Sequence, residues 1–295
     1  MAILSIQSHV AYGNVGNRAA VFPLELLGFD VWPINTVQFS NHTGYPSWRG
    51  EVFPAEHLRN VWTGIRDLGV LPRCEAVLSG YVGEAGIGQV ILEAVGDVKA
   101  SSPGALYCCD PVMGDTDGGL YVRGGVVDFM RGEALPRADI VTPNLFEAGI
   151  LAGMAIQGTK DAHEALGRIH DLGPSIILVT SFKPPELRKD RVASLLSDGS
   201  RTWIIVTEEL AMSPMPNGGG DLAAALFLGH YLRLRDAPSA LELAVDSLFS
   251  VFEETRRSAS RELRIIASRD AILSPGRRFK ALELQEWEAR ASKEG

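Results

Sequence analysis

Cysteine is scarce in this chain: Cys74, Cys108 and Cys109 are the only three among 295 residues. An odd count with two members adjacent does not make a disulfide framework, and it points to reduced thiols in a cytoplasmic protein. Positive charge is short as well. The formal net charge is −8 and no basic run occurs, which argues against a nucleic-acid partner or an anionic membrane surface. Apolar stretches stay below membrane-spanning length, and Met1-Ala-Ile-Leu-Ser-Ile6 has neither a basic lead nor a long apolar core. Neither a membrane span nor a signal peptide is therefore expected, and without the latter the Asn41-His42-Thr43 sequon carries no weight. Enzyme signatures are missing too. There is no Gly-x4-Gly-Lys-Ser/Thr loop and no Gly-x-Ser-x-Gly elbow, which disfavours a P-loop fold and a serine hydrolase. Gly83-Glu-Ala-Gly86-Ile-Gly88 has the wrong order for a dinucleotide fingerprint. His163, Glu164 and His170 lack the spacing of a zinc-protease pair and read as a solvated helix face.

What is present is alternation. Short β-branched or apolar runs predict strands at Ala2–Ile6, Asp30–Val37, Ala76–Leu78, Ala105–Cys109, Asp139–Val141 and Ser175–Val179. Helical spacing falls between them at Asn17–Leu27, Ala55–Leu68, Gly88–Ala100, Leu145–Met154 and Asp161–Leu172, the last opening on a capping-box-like Asp161 and Glu164. Such a βα rhythm predicts an α/β fold, a mostly parallel sheet covered by helices on both faces. Arg191–Leu196 and Arg201–Val206 flank Ser197-Asp198-Gly199-Ser200, a hairpin signal that adds an antiparallel part. A further helix is expected over Ala240–Thr255, and the charged tail from Ser258 to Gly295 receives no element. No low-complexity linker or repeat divides the chain, so residues 1–295 read as one domain.

Polar groups gather where strands end: Gln7-Ser8-His9, Gln38 to Tyr45, Ser79-Gly80-Tyr81, Asp110-Pro111, Thr142-Pro143-Asn144 and Thr180-Ser181. In open α/β sheets ligands bind outside these carboxyl ends. Pro216-Asn217-Gly218-Gly219-Gly220-Asp221 then runs into a strongly apolar stretch, which predicts a tight loop feeding a buried helix. Free amides and the positive dipole end at such a helix start suit a phosphate. A carboxylate there repels that anion, unless it takes a proton from the attacking hydroxyl. The alternative for Asp221 is an ordinary helix N-cap.

These residues also carry a resemblance. Ile6-Gln-Ser-His-Val10, Gly16-Asn-Arg-Ala-Ala20, Asn35 to Tyr45, Leu78-Ser-Gly-Tyr81, Cys109-Asp-Pro-Val112, Thr142 to Ala148, Val179-Thr-Ser181 and Gly218–Asp221 resemble the pyridoxal kinase family of the ribokinase-like superfamily. The resemblance spans about three quarters of the chain in order. It implies a three-layer α/β/α sandwich, phosphorylation of the 5′-hydroxymethyl group of pyridoxal and related B6 vitamers by ATP with Mg²⁺, and a homodimer. By the same resemblance Ser8 and Thr43 contact the pyridine ring, with Val15, Phe39, His42 and Tyr81 lining the pocket. Asp110, Asn144 and Glu147 belong to the ATP and magnesium side, Asp115 and Thr142 to a monovalent cation (K⁺ or Na⁺), and Thr180 and Ser181 to the phosphates, Thr180 also to the metal. Tyr121 lies in a flap over ATP, Gly218, Gly219 and Gly220 form an anion hole, and Asp221 is the general base.

One position departs from the pattern. The family usually has Thr, or Val in some bacterial members, where this chain has Gly219, so a more mobile loop and slower transfer are expected. The adenine side, around Val206 to Pro214, matches weakly and supplies no residue. Hydroxymethylpyrimidine kinase is the nearest alternative, but that family typically has Cys at the position of Asp221 and lacks the Ser-Asn-His-Thr block. A sugar or nucleoside kinase would need its own amino-terminal glycine motif, and a non-catalytic vitamin-binding relative is favoured only by Gly219.

Overall fold

The strand and helix patterns resolve into one twisted sheet with helices on both sides. The structure, a computed structural model, describes residues 1–116, 118–122 and 124–294. In order the chain forms β1 (Ala2–Val10), α1 (Asn17–Leu26), β2 (Asp30–Phe39), β3 (Gly50–Val52), α2 (Ala55–Asp67), β4 (Cys74–Ser79), α3 (Ala85–Ser101), β5 (Leu106–Cys109), β6 (Gly114–Asp115), β7 (Gly119–Leu120) and α4 (Val126–Phe129). It continues with β8 (Ile140–Val141), α5 (Leu145–Ala152), α6 (Thr159–His170), β9 (Ile176–Phe182), β10 (Arg191–Ser197), β11 (Thr202–Glu208), α7 (Gly219–Leu234), α8 (Ala237–Arg257), α9 (Arg269–Leu273), β12 (Leu282–Glu283) and α10 (Leu284–Glu294).

Among the described residues ten strands share the main sheet, in the order β12-β11-β10-β9-β8-β5-β4-β1-β2-β3. The six from β9 to β2 run parallel, while β10, β11, β12 and β3 are antiparallel to their neighbours. The chain leaves β1 on one side for β2 and returns on the other for β4, so the strand order reverses at β1, where α/β sheets open a crevice. Side chains alternate across each strand. In β1, Leu4 and Ile6 join Trp62, Ile87 and Leu151 in one core, while Ile3 joins Leu24, Leu226 and Phe227 in the other. Helices α2 to α6 thus cover one face, and α1, α7, α8 and α9 the other. This is the three-layer sandwich expected. Each fully buried Leu or Ile contributes roughly 1.5–3 kcal/mol, so both faces are held without disulfides, and all three cysteines are buried and free.

The strands run further than their apolar patterns. β1 continues to Val10, β2 to Phe39 and β9 to Phe182, so Ser8, His9, Thr180 and Ser181 lie inside strands. Pairing explains the extension: His9 faces Gln38 and Val10 faces Phe39 after a shift in register. Helix α3 starts at Ala85, three residues before Gly88. Glycine is a poor helix former, but the Phe129 ring packs where a Cβ on Gly88 would stand, 2.3 Å from it. The expected capping box of α6 is not formed: Gly158 is the cap, Asp161 accepts from the Gln157 amide at 2.9 Å, and Glu164 pairs with Arg168 at 2.7 Å. His170 is not on a solvated face either, since its ring nitrogens bond the Pro174 carbonyl and Ser197 hydroxyl, each at 2.8 Å. The 198–201 hairpin forms as expected, with Asp198 Oδ1 accepting from the Ser200 and Arg201 amides.

Candidate functional site

Two helix N-termini meet beside the crevice. Helix α1 starts after Gly16 and α7 after Gly218, and both caps have left-handed backbone, φ 54° and 90°. At Gly218 a Cβ would lie 1.9 Å from the Asn14 carbonyl oxygen, so only glycine allows this loop to press against the loop after β1. Gly219 and Gly220 fill the first turn of α7, and Asp221 is its third residue. Asp221 therefore does not occupy the cap position, which Gly218 fills. Burial raises its pKa above the usual carboxylate value, opposed by the Gly16 backbone amide. A carboxylate raised in this way is a stronger base than a solvated one.

Opposite α7 stands a group of acids. Asp110 is 3% exposed and follows β5. Its Oδ1 accepts from the Thr142 hydroxyl at 2.9 Å, while Oδ2 is buried without a partner. Burial, then Glu147, then Asp221 raise its pKa well above the ordinary value. Asn144 and Glu147 form a capping box at α5: the Glu147 amide donates to Asn144 Oδ1, and Glu147 Oε2 accepts from the Asn144 amide, both at 2.9 Å. Glu147 Oε1 also accepts from the amides of Met113 at 2.8 Å and Gly114 at 3.3 Å. The Asn144 amide group donates to the Gly114 carbonyl at 2.8 Å. Glu147 thus ties the loop after β5 to the start of α5. Burial pushes it up to about 7, against the pull of those three amides. Asp115 is exposed in β6 and accepts from the Gly118 amide. Tyr121 is 51% exposed, and its phenol pKa is raised by partial burial and by the negative charge of Glu147, Asp115, Asp110 and Asp221.

The remaining candidates divide between two ends. Ser8 and Phe39 sit at the carboxyl ends of β1 and β2, Val15 is buried beneath the first loop, and Tyr81 follows β4. The Phe39 ring packs on Trp48, centroids 4.5 Å apart. His42 accepts from the Gly44 amide through Nδ1 at 3.1 Å, which leaves the proton on Nε2. Burial lowers its pKa, so the neutral ring is favoured. Thr43 beside it is exposed. At the other end Thr180, Ser181, Gly219 and Gly220 line a cavity of about 480 Å³. Ser181 there is left-handed, φ 59°, where β9 kinks.

The far wall of that cavity was not found from sequence. Val245, Leu248, Phe249 and Phe252 of α8 line it together with Ile205 and Met215. Their i, i+3, i+4, i+7 spacing is a helical face, a signal that marks an apolar stripe without telling what it faces. Phe249 is braced by Phe279 at 4.9 Å and Arg278 at 5.0 Å, and Arg278 bonds the fully buried Asp246 at 2.6 Å. A Cβ on Gly219 would stand 2.9 Å from Phe252 Cζ. The space vacated by the missing side chain is therefore filled, not loose.

An apolar cavity beside helix-end amides, with buried acids at neighbouring carboxyl ends of a parallel sheet, is the arrangement of an α/β small-molecule kinase. A family model described as phosphomethylpyrimidine kinase matches residues 67–259. Pyridoxal kinase PdxY of Rubrobacter xylanophilus is 48% identical over 278 residues, 94% of this chain and 95% of that protein. The chain belongs to the pyridoxal kinase family. Pyridoxal kinase PdxY of Corynebacterium diphtheriae agrees, at 44% identity over 96% of this chain and all of its own length (100%). Among solved structures, pyridoxal kinase from Leishmania donovani in complex with ADP and pyridoxamine aligns with a TM-score of 0.89 and 32% identity, over 96% of this chain and 99% of that one.

Proposed function

We propose that this chain transfers the terminal phosphoryl group of ATP to the 5′-hydroxymethyl group of pyridoxal, pyridoxamine or pyridoxine, with Asp221 as general base. ATP-dependent phosphorylation of a B6 vitamer is the reaction of its family. The observation that carries the assignment of the base is the position of Asp221: inside the first turn of α7, raised in pKa by burial, and not at the cap. From there its carboxylate takes the proton as the hydroxyl oxygen attacks, while the amides of Gly218, Gly219 and Gly220 stabilise charge building on the transferring group. Ser8, Thr43 and the Nε2–H of His42 orient the ring, with Val15, Phe39 and Tyr81 around it. Thr180, Ser181, Asn144 and Tyr121 serve the phosphate side, and the α8 face receives the adenine.

Metal–ATP is the general requirement of such kinases, and Mg²⁺ fits here on the chemistry of the acids. The unpartnered Oδ2 of Asp110 and the raised pKa of Asp110 and Glu147 mark negative charge with no basic partner among the described residues. Asp110 and Thr180 would face the ion, and Glu147 reaches it through water because both its oxygens are engaged by amides. When bound, the ion neutralises phosphate charge. A monovalent cation, K⁺ or Na⁺, belongs near Asp115 and Thr142. The reading of residues 1–295 as one domain is supported by a sheet that draws strands from both ends of the chain. A homodimer is supported by the open edge at β3, where Trp48 and Val52 are exposed. No helix among the described residues is long and apolar enough to cross a membrane, and a cytoplasmic location accords with the free cysteines.

Asp221→Asn tests the base. Turnover of pyridoxal at saturating MgATP should fall roughly 10²- to 10⁴-fold, with the melting temperature and ligand binding retained. Asparagine keeps the shape, so retention of most activity would require another base.

A further inference from the structure

The vitamer end of the site is built from two loops that carry no regular secondary structure, Ala11–Gly16 after β1 and Ser40–Trp48 after β2. Both press on the glycine loop. Gly218 abuts the Asn14 carbonyl, and a Cβ on Gly44 would lie 3.6 Å from the Asn217 side-chain nitrogen. What holds them there comes from the tail, which is more than 200 residues away in sequence.

Glu262 reaches both loops with one carboxylate. Its Oε2 accepts from the Asn14 amide at 3.1 Å, and its Oε1 accepts from the Tyr45 hydroxyl at 2.6 Å. Flanking residues repeat the pattern. The Leu263 carbonyl accepts from the Asn14 side chain at 2.8 Å, Arg261 donates to the Gly44 carbonyl at 3.0 Å, and its guanidinium lies 3.7 Å over the Tyr45 ring. The segment is itself anchored. Leu263 and Ile265 are buried in the core beneath α7 and α8, and the Arg264 amide donates to Thr255 on α8 at 3.0 Å. A carboxylate on a segment anchored to the core, bonded to both loops, helps to set the distance between them.

We propose that Glu262 is a positioning residue for phosphoryl transfer: it holds the Asn14 and Tyr45 loops against the two sides of the glycine loop and so fixes the vitamer end of the site relative to Asp221. This rests on the B6-kinase reading. Glu262 is outside the groups proposed to touch substrate, and it acts through Asn14 and Tyr45. The nucleotide end, walled by α8 and β11, does not depend on it.

The test is steady-state kinetics of Glu262→Ala, Glu262→Gln and Tyr45→Phe on the full chain, varying pyridoxal and ATP separately. The wild type is run alongside, and its failure to turn over pyridoxal would reject the B6 reading itself. Glu262→Ala should raise KM for pyridoxal about ten-fold and lower kcat, with KM for ATP within about two-fold, the split expected when one end of the site loosens. Glu262→Gln should recover most of the loss, because its carbonyl can accept from Asn14 while its amide donates to the Tyr45 oxygen. Tyr45→Phe deletes one arm at the surface and leaves the core intact. It should raise KM for pyridoxal about three-fold or more even if Glu262→Ala proves too unstable to assay. An unchanged pyridoxal KM in Tyr45→Phe, or equal losses toward pyridoxal and ATP alongside a lowered melting temperature in all three variants, would overturn the proposal.

Discussion

Replacing Gly219 by threonine would restore the residue usual in the family, and from sequence alone it should speed the reaction. The structure predicts the opposite. A Cβ at this position lies 2.9 Å from Phe252 Cζ and 3.6 Å from Cε2, whereas carbon atoms rest at about 3.5–4.0 Å. The ring must retreat by roughly half an ångström or more, and threonine adds two further heavy atoms. Overpacking of this kind costs about 1–3 kcal/mol. Phe252 lines the cavity proposed for the nucleotide, so on that reading its displacement narrows the space that ATP needs and the penalty falls on the nucleotide. KM for ATP in Gly219→Thr should rise roughly 5- to 100-fold, with a melting temperature lowered by a few degrees. Phe252→Leu removes the atoms nearest position 219 and should weaken ATP binding on its own. The double variant should recover part of the loss, with a coupling of about 1–2 kcal/mol. The measurement is KM and kcat for ATP at saturating pyridoxal in wild type, both single variants and the double. Strictly additive effects, or an unchanged KM in Gly219→Thr, would refute the idea that the ring has taken the place of the missing side chain.

Thr43→Val keeps shape and deletes a hydroxyl, and catalytic efficiency on pyridoxal should fall by roughly one to two orders of magnitude while KM for ATP barely moves. An unchanged efficiency would reduce Thr43 to an exposed loop residue. His230 is buried in α7, and burial, with Arg233, lowers its pKa from 6.5 to about 4. The unfolded chain then binds a proton that the folded one refuses, so this stability is fully present above pH 6.5 and is lost as pH falls toward 4. The loss amounts to about 3 kcal/mol. Urea unfolding of wild type and His230→Leu across that range should show a shallower acid decline in the variant, and parallel curves would contradict the assignment.

Much of the architecture was legible because it is local. The six parallel strands, five of the helices that cover them and the Asp198 hairpin announce themselves through short apolar runs, helical spacing and turn residues, and the glycine loop through its composition. Strand ends were misjudged because Ser8, His9, Thr180 and Ser181 are polar, while strand pairing, which continues past them, is a property of two segments. The Asn144-x-x-Glu147 capping box was open to sequence reasoning and was overlooked behind the roles that the family resemblance implies. Asp110, Glu147 and Asp221 were each marked by resemblance, but their mutual influence exists only in space. The tail was opaque for the same reason. Arg261 to Leu263 and Arg278 have no periodicity worth reading, and their partners at Asn14, Gly44, Tyr45 and Asp246 lie far off in the chain.

The charges of the site explain why it suits a metal–phosphate pair better than either part alone. On one side the glycine-rich N-terminus of α7 offers amides, and α1 and α7 bring the positive ends of two helix dipoles, which favour an anion. On the other, Asp110, Asp115, Glu147 and Asp221 raise one another's pKa or that of Tyr121, with burial the larger cause at Asp110, Glu147 and Asp221. A bare polyphosphate would gain from the helices and be repelled by the acids; a lone cation would meet the reverse. A ligand carrying both charges satisfies both walls, and the buried Oδ2 of Asp110, which no protein group reaches, is where the second charge has most to gain. The same field acts on Asp221. On the proposal that Asp221 is the base, a cation held beside Asp110 would offset the repulsion between the Asp110 and Asp221 carboxylates.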